Sequence, residues 1–209
     1  PTSTTRNYVD AELHRYQNAN HTHTGALSGR NTIYGGYSIW ENKVVQDNTL
    51  TLNNAAGFAE AYGGYTSTGA DAVRNKLTLN SGTVGSLFGG AATGSGLVND
   101  NHVIVNDGTV TNEIYGGQST HLTSGYGVTG NGTGKVTNNS VTINKGTVNH
   151  ITGGYGTTTV EGNSVTIAGG ADLLRISVDS VVHGKVKGGA IRGDDTAVRS
   201  AAKNTVTIT

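Results

Sequence analysis

The sequence predicts an all-β fold, a parallel β-helix (β-solenoid) of about six to seven coils with a short N-terminal helical cap. Three observations lead to this prediction. A five-residue box recurs along the chain, a Gly-Gly box follows it at a nearly constant distance, and apolar and polar residues alternate within the first box. The 209 residues include 33 Gly, 31 Thr and 21 Asn but one Pro and no Cys or Met. The absence of Cys excludes a disulfide scaffold and a Cys-ligated metal site.

The first box reads Asn-x-(Val/Leu)-Thr-(Ile/Leu), with Asn-His-Val-Ile-Val as a close variant and a degenerate copy at Asn20. Its copies begin at Asn48, Asn75, Asn101, Asn139, Asn163 and Asn204. Alternate positions are apolar, as at Val141 and Ile143, which is the period of a half-buried strand. Because the Asn shares the inward phase of Val and Ile, we expect these six asparagines to stack as a buried, hydrogen-bonded structural ladder.

The second box is an aromatic residue followed by Gly-Gly. It occurs at Tyr34, Tyr62, Phe88 and Tyr115, with weaker copies at Thr152 and Lys187. The first Gly lies 14 or 15 residues after the box Asn in five units and 25 residues after it in the sixth. Gly-Gly indicates a bend or a close backbone approach, and an Asn-x-Gly triplet between the boxes has turn chemistry. Since one unit cannot bury its single apolar face, the units must stack; a stack of antiparallel hairpins is the alternative.

The chain divides into a terminal segment, 1–19, and a β-helical repeat domain, 20–209. Residues 7–17 have the pattern of an amphipathic helix that caps the solenoid edge or serves for docking. Residues 197–203 predict a short helical decoration in the last return loop. The chain starts without Met and stops inside a box, so we expect a fragment of a longer protein, open at its C-terminal end.

The succession Asn-Ser-Val-Thr-Ile, Gly-Thr-Val and Tyr-Gly-Gly resembles the passenger repeats of large bacterial autotransporters, the type V secretion proteins. The resemblance covers roughly residues 20–209. It implies an extracellular passenger, a β-helix that is commonly right-handed, and often an adhesin. It also implies attachment at the bacterial cell surface, through a C-terminal outer-membrane barrel outside this sequence.

The loops after Gly-Gly vary in length and leave the coil at the same edge, so we expect them to form one surface. The longest covers residues 118–138. Aromatic side chains among Ser, Thr, Asn and Gly resemble a contact patch for protein or carbohydrate. The candidate binding residues are Tyr37, Trp40, Tyr65, His121, Tyr126 and Tyr155. In the structural alternative each ring packs on its neighbour along the solenoid.

We expect no catalytic residues, cofactor or metal. His21 and His23 would share one side of a strand, but no acidic or Cys partner is spaced to complete a metal site. Asp194 and Asp195 read as a solvated turn, and His102 belongs to a scattered set of histidines that suggests no site. Balanced charge, 14 Lys+Arg against 14 Asp+Glu, argues against nucleic acid, and no apolar run is long enough for membrane insertion.

The sequence therefore favours a non-enzymatic adhesin whose partner is a host cell-surface protein or glycan. One alternative is a fibre or spacer segment, from a phage or a surface rod, without a ligand of its own. Under either hypothesis the chain could also self-associate along the rod. A β-helical polysaccharide-degrading enzyme is the remaining alternative, and the low charged fraction of 13% argues against it.

Overall fold

A computed structural model of the chain describes residues 19–26, 32–38, 43–67, 69–120, 134–156, 158–173, 186–191 and 200–209. Every regular element in these ranges is a β-strand. The strands are β1 Asn20–Ala26, β2 Thr32–Ser38, β3 Val45–Gln46, β4 Thr49–Thr66, β5 Ala72–Val73, β6 Lys76–Leu79, β7 Gly82–Thr93, β8 Val98–Asn99, β9 His102–Val105, β10 Thr109–Thr120, β11 Val136–Thr137, β12 Ser140–Gly156, β13 Thr159–Glu161, β14 Ser164–Leu173, β15 Val186–Ile191, β16 Ser200–Ala202 and β17 Thr205–Ile208.

The strands form a parallel β-solenoid, which confirms the predicted fold class. Each turn runs through an Asn-box strand, a Gly-Gly strand and a short third strand, and in β4 and β12 the first two are continuous. The first two kinds belong to one eleven-stranded sheet and the third forms a six-stranded sheet, β16-β13-β11-β8-β5-β3. The pairings among described strands are parallel between equivalent strands of successive turns, so the antiparallel hairpin alternative is wrong for this part of the chain.

The solenoid makes about five turns, slightly fewer than the six to seven predicted. The sequence count included every copy of the box, whereas a complete turn needs a copy at its beginning and another at its end. The degenerate first box is also displaced by one residue. Asn20 pairs with Thr49, and Ala19 takes the place of the box asparagine, donating its N–H to Asn48 Oδ1 over 3.0 Å. The right-handed winding stays a prediction.

The core consists of apolar ladders that run along the axis. In the Asn-box strands, fully buried positions pair in register from turn to turn, as Leu50 pairs with Leu77 and Leu77 with Val103. The third strands add a second ladder, in which Ala72 pairs with Val98 and Val98 with Val136. The inward apolar side chains of each turn are buried by the turns above and below, so neighbouring turns share the hydrophobic stabilisation.

Both helix predictions concern segments at the ends of the chain. Residues 7–17 lie outside the described residues. The prediction for 197–203 is wrong where the chain is described, because Ser200–Ala202 forms β16 and pairs with Thr159–Glu161. Register with the preceding turn overrides the local helix propensity of Ala and Lys. No helix in the described part of the chain is long and apolar enough to cross a membrane.

Candidate functional site

The box asparagines form a buried amide column along the axis. From Asn48 to Asn163, each Nδ2 donates to the Oδ1 of the equivalent asparagine one turn later, and that Oδ1 also accepts the backbone N–H of the donor asparagine. The second Nδ2 proton goes to a third-strand carbonyl, as Asn75 donates to Val45 O at 2.9 Å. The links Asn48–Asn75, Asn75–Asn101, Asn101–Asn139, Asn139–Asn163 and Asn163–Asn204 measure 2.8, 2.9, 2.9, 2.9 and 3.0 Å. These amides satisfy one another inside the core, which makes the column structural.

The Gly-Gly box makes room for this column. A Cβ atom at the second glycine, Gly90, would overlap the side-chain amide of Asn101, and the same relation holds for Gly64 and Asn75. A Cβ at the first glycine, Gly89, would overlap the carbonyl oxygen of Gly116 in the next turn. The two boxes are thus parts of one packing unit, in which a side-chain amide lies on a bare backbone.

Two aromatic columns run along the outside of the Gly-Gly strands. In the first aromatic column (Tyr34, Tyr62, Phe88, Tyr115), successive ring centroids lie 5.2, 4.4 and 5.5 Å apart with interplanar angles of 18°, 9° and 13°. The second aromatic column lies three residues further along each strand. It contains Tyr37, Tyr65 and Tyr155, with Ala91 and Gln118 at the positions between them.

Face-to-face stacking runs along the first column, whereas in the second column it joins only Tyr37 and Tyr65. Tyr37 and Tyr65 are 5.5 Å apart at 7°, whereas Tyr155 is tilted by 54° against Tyr115. Tyr62 and Phe88 are buried, and Tyr37, Tyr65 and Tyr155 are half-buried. Stacking covers ring faces, so the second column offers a ligand mainly ring edges and phenol groups.

Two tyrosines of the first column donate to carboxylates on their own strands. Tyr62 Oη donates to Glu60 Oε2 at 3.0 Å, and Tyr115 Oη donates to Glu113 Oε2 at 2.9 Å. Burial, followed by the nearby Glu60 carboxylate, raises the pKa of Tyr62 far above its ordinary value. Burial also raises the pKa of Tyr65 to about 12, with smaller contributions from Tyr37 and Glu60. These phenols are therefore neutral hydrogen-bonding groups at physiological pH.

The candidate binding residues fall into two groups. Tyr37, Tyr65 and Tyr155 lie together on the second aromatic column. Trp40, His121 and Tyr126 lie outside the described residues. The strands before them end at aligned positions, because Ser38 pairs with Thr66, Thr66 with Ala92 and Ala92 with Ser119.

A second set of asparagines, which the sequence reading treated only as turn residues, forms an exposed amide ladder at the Asn-x-Gly corner. Nδ2 of Asn80, Asn106 and Asn144 donates to Oδ1 of Asn53, Asn80 and Asn106 at 2.9, 2.8 and 2.8 Å. These bonds point toward the preceding turn, opposite to those of the buried amide column. The equal place of Asn80, Asn106 and Asn144 in the Asn-x-Gly triplets was the available signal, which Asn53, in Asn-Asn-Ala, does not carry.

The structure also places three chemically reactive side chains together that the sequence reading missed. His102 Nδ1 lies 2.7 Å from Ser140 Oγ, and His102 Nε2 lies 3.3 Å from Asp100 Oδ1. Ser140 is 38 residues from His102 and becomes its neighbour because Ser140 and His102 hold paired positions on adjacent turns.

The two histidines considered for a metal site occupy inward positions. His21 pairs with Leu50 and His23 with Leu52. The His23 ring packs edge-on against Phe58, with centroids 5.2 Å apart. Among the described residues, no group of three or more His, Cys, Asp or Glu side chains could hold a metal ion. Asp194 and Asp195 lie outside these residues.

Comparison with known proteins finds no matching family model, no matching curated protein and no matching solved structure. The functional reading therefore depends on the geometry of this chain.

Proposed function

We propose that this chain is a surface-exposed, extracellular passenger segment of the autotransporter type that acts as an adhesin. The second aromatic column and the loops beside it contact a host protein or glycan. The observation that carries the proposal is the position of Tyr37 and Tyr65: both are half-buried on the outside of the solenoid, beside the edge at which the chain leaves the strands. A β-solenoid is compatible with a β-helical passenger.

The scaffold suits recognition because it holds the rings in place before a ligand arrives. Tyr37 and Tyr65 sit on strands paired in register and stack on each other, so little side-chain freedom is left to lose on binding. The neutral phenols can donate to carbonyl or hydroxyl oxygens. Since the stacked rings present edges, we expect a ligand that uses hydrogen bonds and edge contacts, as protein backbones and glycan hydroxyls do.

The direct test measures binding of the labelled chain to epithelial cells and to a glycan array. The site variant is the double substitution Tyr37→Ser/Tyr65→Ser. The matched control is Thr51→Ala/Thr142→Ala, which changes two half-buried side chains of the Asn-box strands. Saturable binding that falls at least tenfold in the tyrosine variant and persists in the threonine variant is the expected result. Circular dichroism melting would verify that both variants keep the fold.

A third variant, with residues 121–133 replaced by a short Gly-Ser linker, separates the loop from the column. Loss of binding in the linker variant alone would move the site from the aromatic column to the loop. Absence of binding by the unaltered chain would contradict the proposal and favour a spacer segment of a fibre or surface rod.

A further inference from the structure

Asp100, His102 and Ser140 lie in contact on the outer face of the Asn-box strands: His102 and Ser140 share a hydrogen bond, and Asp100 lies within ion-pair distance of His102. Asp100 and His102 flank the buried Asn101, so both side chains point outward from the same corner. Asp100 itself has a left-handed backbone, with φ of 56°. Backbone hydrogen bonds hold each member: Asp100 N–H to Thr137 O at 3.1 Å, His102 N–H to Asn75 O at 2.8 Å and Ser140 N–H to Asn101 O at 2.8 Å.

The two contacts of the imidazole select its tautomer. A carboxylate accepts hydrogen bonds and cannot donate them, so Asp100 favours the proton on Nε2, across the 3.3 Å contact. Nδ1 is then the unprotonated nitrogen, and the Ser140 hydroxyl donates to it over 2.7 Å. A serine that donates to an imidazole, which is itself oriented by a carboxylate, is the arrangement of an activated nucleophile.

Ser140 is half-buried, and its surroundings supply an internal comparison. The side chains of His102 and Asp100 are 40% and 45% exposed. The charged groups on the preceding turn are Lys76, which pairs with His102, and Arg74. On the following turn Ser140 pairs with Ser164, whose other neighbour is Thr205. Ser164 therefore has the same place on its strand but no imidazole beside it.

We infer that Ser140, His102 and Asp100 constitute an activated serine that accepts acyl groups from activated esters. Ser140 Oγ attacks the ester carbonyl carbon, and its proton passes to His102 Nδ1. The bond between the carbonyl carbon and the leaving oxygen breaks, and His102 returns the proton to that oxygen. Water then cleaves the acyl-serine by the same proton route. Asp100 is a positioning residue that holds the imidazole ring in place.

The open position of Ser140 determines the substrate class. The described strands place it on an exterior face, so the site suits esters with good leaving groups, such as aryl esters. A positioned general base contributes about 10²–10⁴-fold to such a reaction. The same chemistry applies to organophosphonates, in which serine oxygen replaces fluoride on phosphorus and His102 takes the serine proton.

The test treats the full chain with a fluorophosphonate probe and maps labelled serines by mass spectrometry. We expect Ser140 to be labelled at least about 100-fold faster than Ser164 in the same sample. His102→Gln should abolish this difference, and Ser164→Ala should leave Ser140 labelling unchanged. Asp100→Asn should slow labelling and alter its pH profile. Release of p-nitrophenol from p-nitrophenyl acetate gives an independent rate.

Two outcomes would overturn the inference: equal labelling of Ser140 and Ser164, or labelling of Ser140 that survives His102→Gln in a protein with an unchanged melting curve. Because the labelling of Ser140 and Ser164 is compared within the unaltered chain, this part of the test does not depend on whether any variant folds. Neither outcome bears on adhesion, because the aromatic columns lie beside the Gly-Gly boxes, whereas Ser140 lies in an Asn box.

Discussion

Ladders of like side chains run along both the inside and the outside of this solenoid, but only the inner one is fully buried, from Asn48 to Asn163. The buried amide column and the exposed amide ladder use the same Asn-to-Asn hydrogen bond at 2.8–3.0 Å. Asn101 is fully buried and Asn106 is exposed. Water can replace a lost partner outside but not inside. Hydrogen bonds of equal length should therefore contribute unequally to the free energy of unfolding in the two ladders, and mutational tests can measure the difference.

The largest expected effect comes from Asn101→Ala. Asn101 accepts from the backbone N–H and Nδ2 of Asn75 and donates to Asn139 Oδ1 and Ala72 O. Its removal takes a partner from each of these buried groups, although Asn139 Oδ1 still accepts the N–H of residue 101 and Asn75 Nδ2 still donates to Val45 O. We therefore expect a loss of about 4 kcal/mol, at 1–3 kcal/mol for each group left unsatisfied. Urea unfolding would measure the loss. A loss below about 1 kcal/mol would show that water enters the column.

Gly90→Ala should have the next largest effect, about 3 kcal/mol, because the new Cβ overlaps the Asn101 amide. The double variant Gly90→Ala/Asn101→Ala tests this cause. If the clash is with that amide, the two losses in the free energy of unfolding will not add, because Asn101→Ala removes the amide that the new Cβ would overlap. Additive losses would place the strain elsewhere in the backbone.

Alkaline pH should destabilise the protein through the first aromatic column. The pKa of Tyr62 is raised in the folded state, so an unfolded chain loses this proton first once pH exceeds the ordinary tyrosine value of about 10. The stabilising contribution is complete below that pH and disappears as pH rises, by up to about 1.4 kcal/mol per pH unit for one such group. Thermal unfolding between pH 9 and pH 11 should show a shallower decline in Tyr62→Phe. An unchanged slope would contradict this assignment.

The smallest effect is expected for Asn106→Ala in the exposed amide ladder. The variant frees Asn80 Oδ1 and Asn144 Nδ2, and water can bind both. We expect a loss of about 0.5 kcal/mol, measured by urea unfolding beside Asn101→Ala. Similar losses in the two variants would remove the contrast between buried and exposed ladders.

The sequence was informative where a feature repeats. The alternation in the Asn boxes and their nearly constant distance from Gly-Gly predicted parallel stacking and an inward Asn, because identical positions on successive turns face identical surroundings. It was less informative where a feature occurs once. Asn20 has the residue type of a box asparagine, yet Ala19 holds that place, since register is decided by pairing with the next turn rather than by residue type.

The candidate sites show the same division. The aromatic residues were identified from sequence by their position around Gly-Gly, but their face-to-face stacking needed coordinates. The site at Ser140 gave no sequence signal because its members lie on different turns, separated by a return loop of unusual length. Conversely, Ser200–Ala202 had a helical composition and became a strand through its contact with β13.

By itself, the sequence determined that this chain is a parallel β-solenoid with asparagine amides in its core. A repeated pattern can be recognised from the sequence because each copy has the same local chemistry at the same spacing. The tertiary structure alone decided which glycine lies under which asparagine, which tyrosine faces are covered, and that Asp100, His102 and Ser140 meet. These pairings join residues on different strands, and the distances between them depend on how loops of unequal length bring successive turns into register.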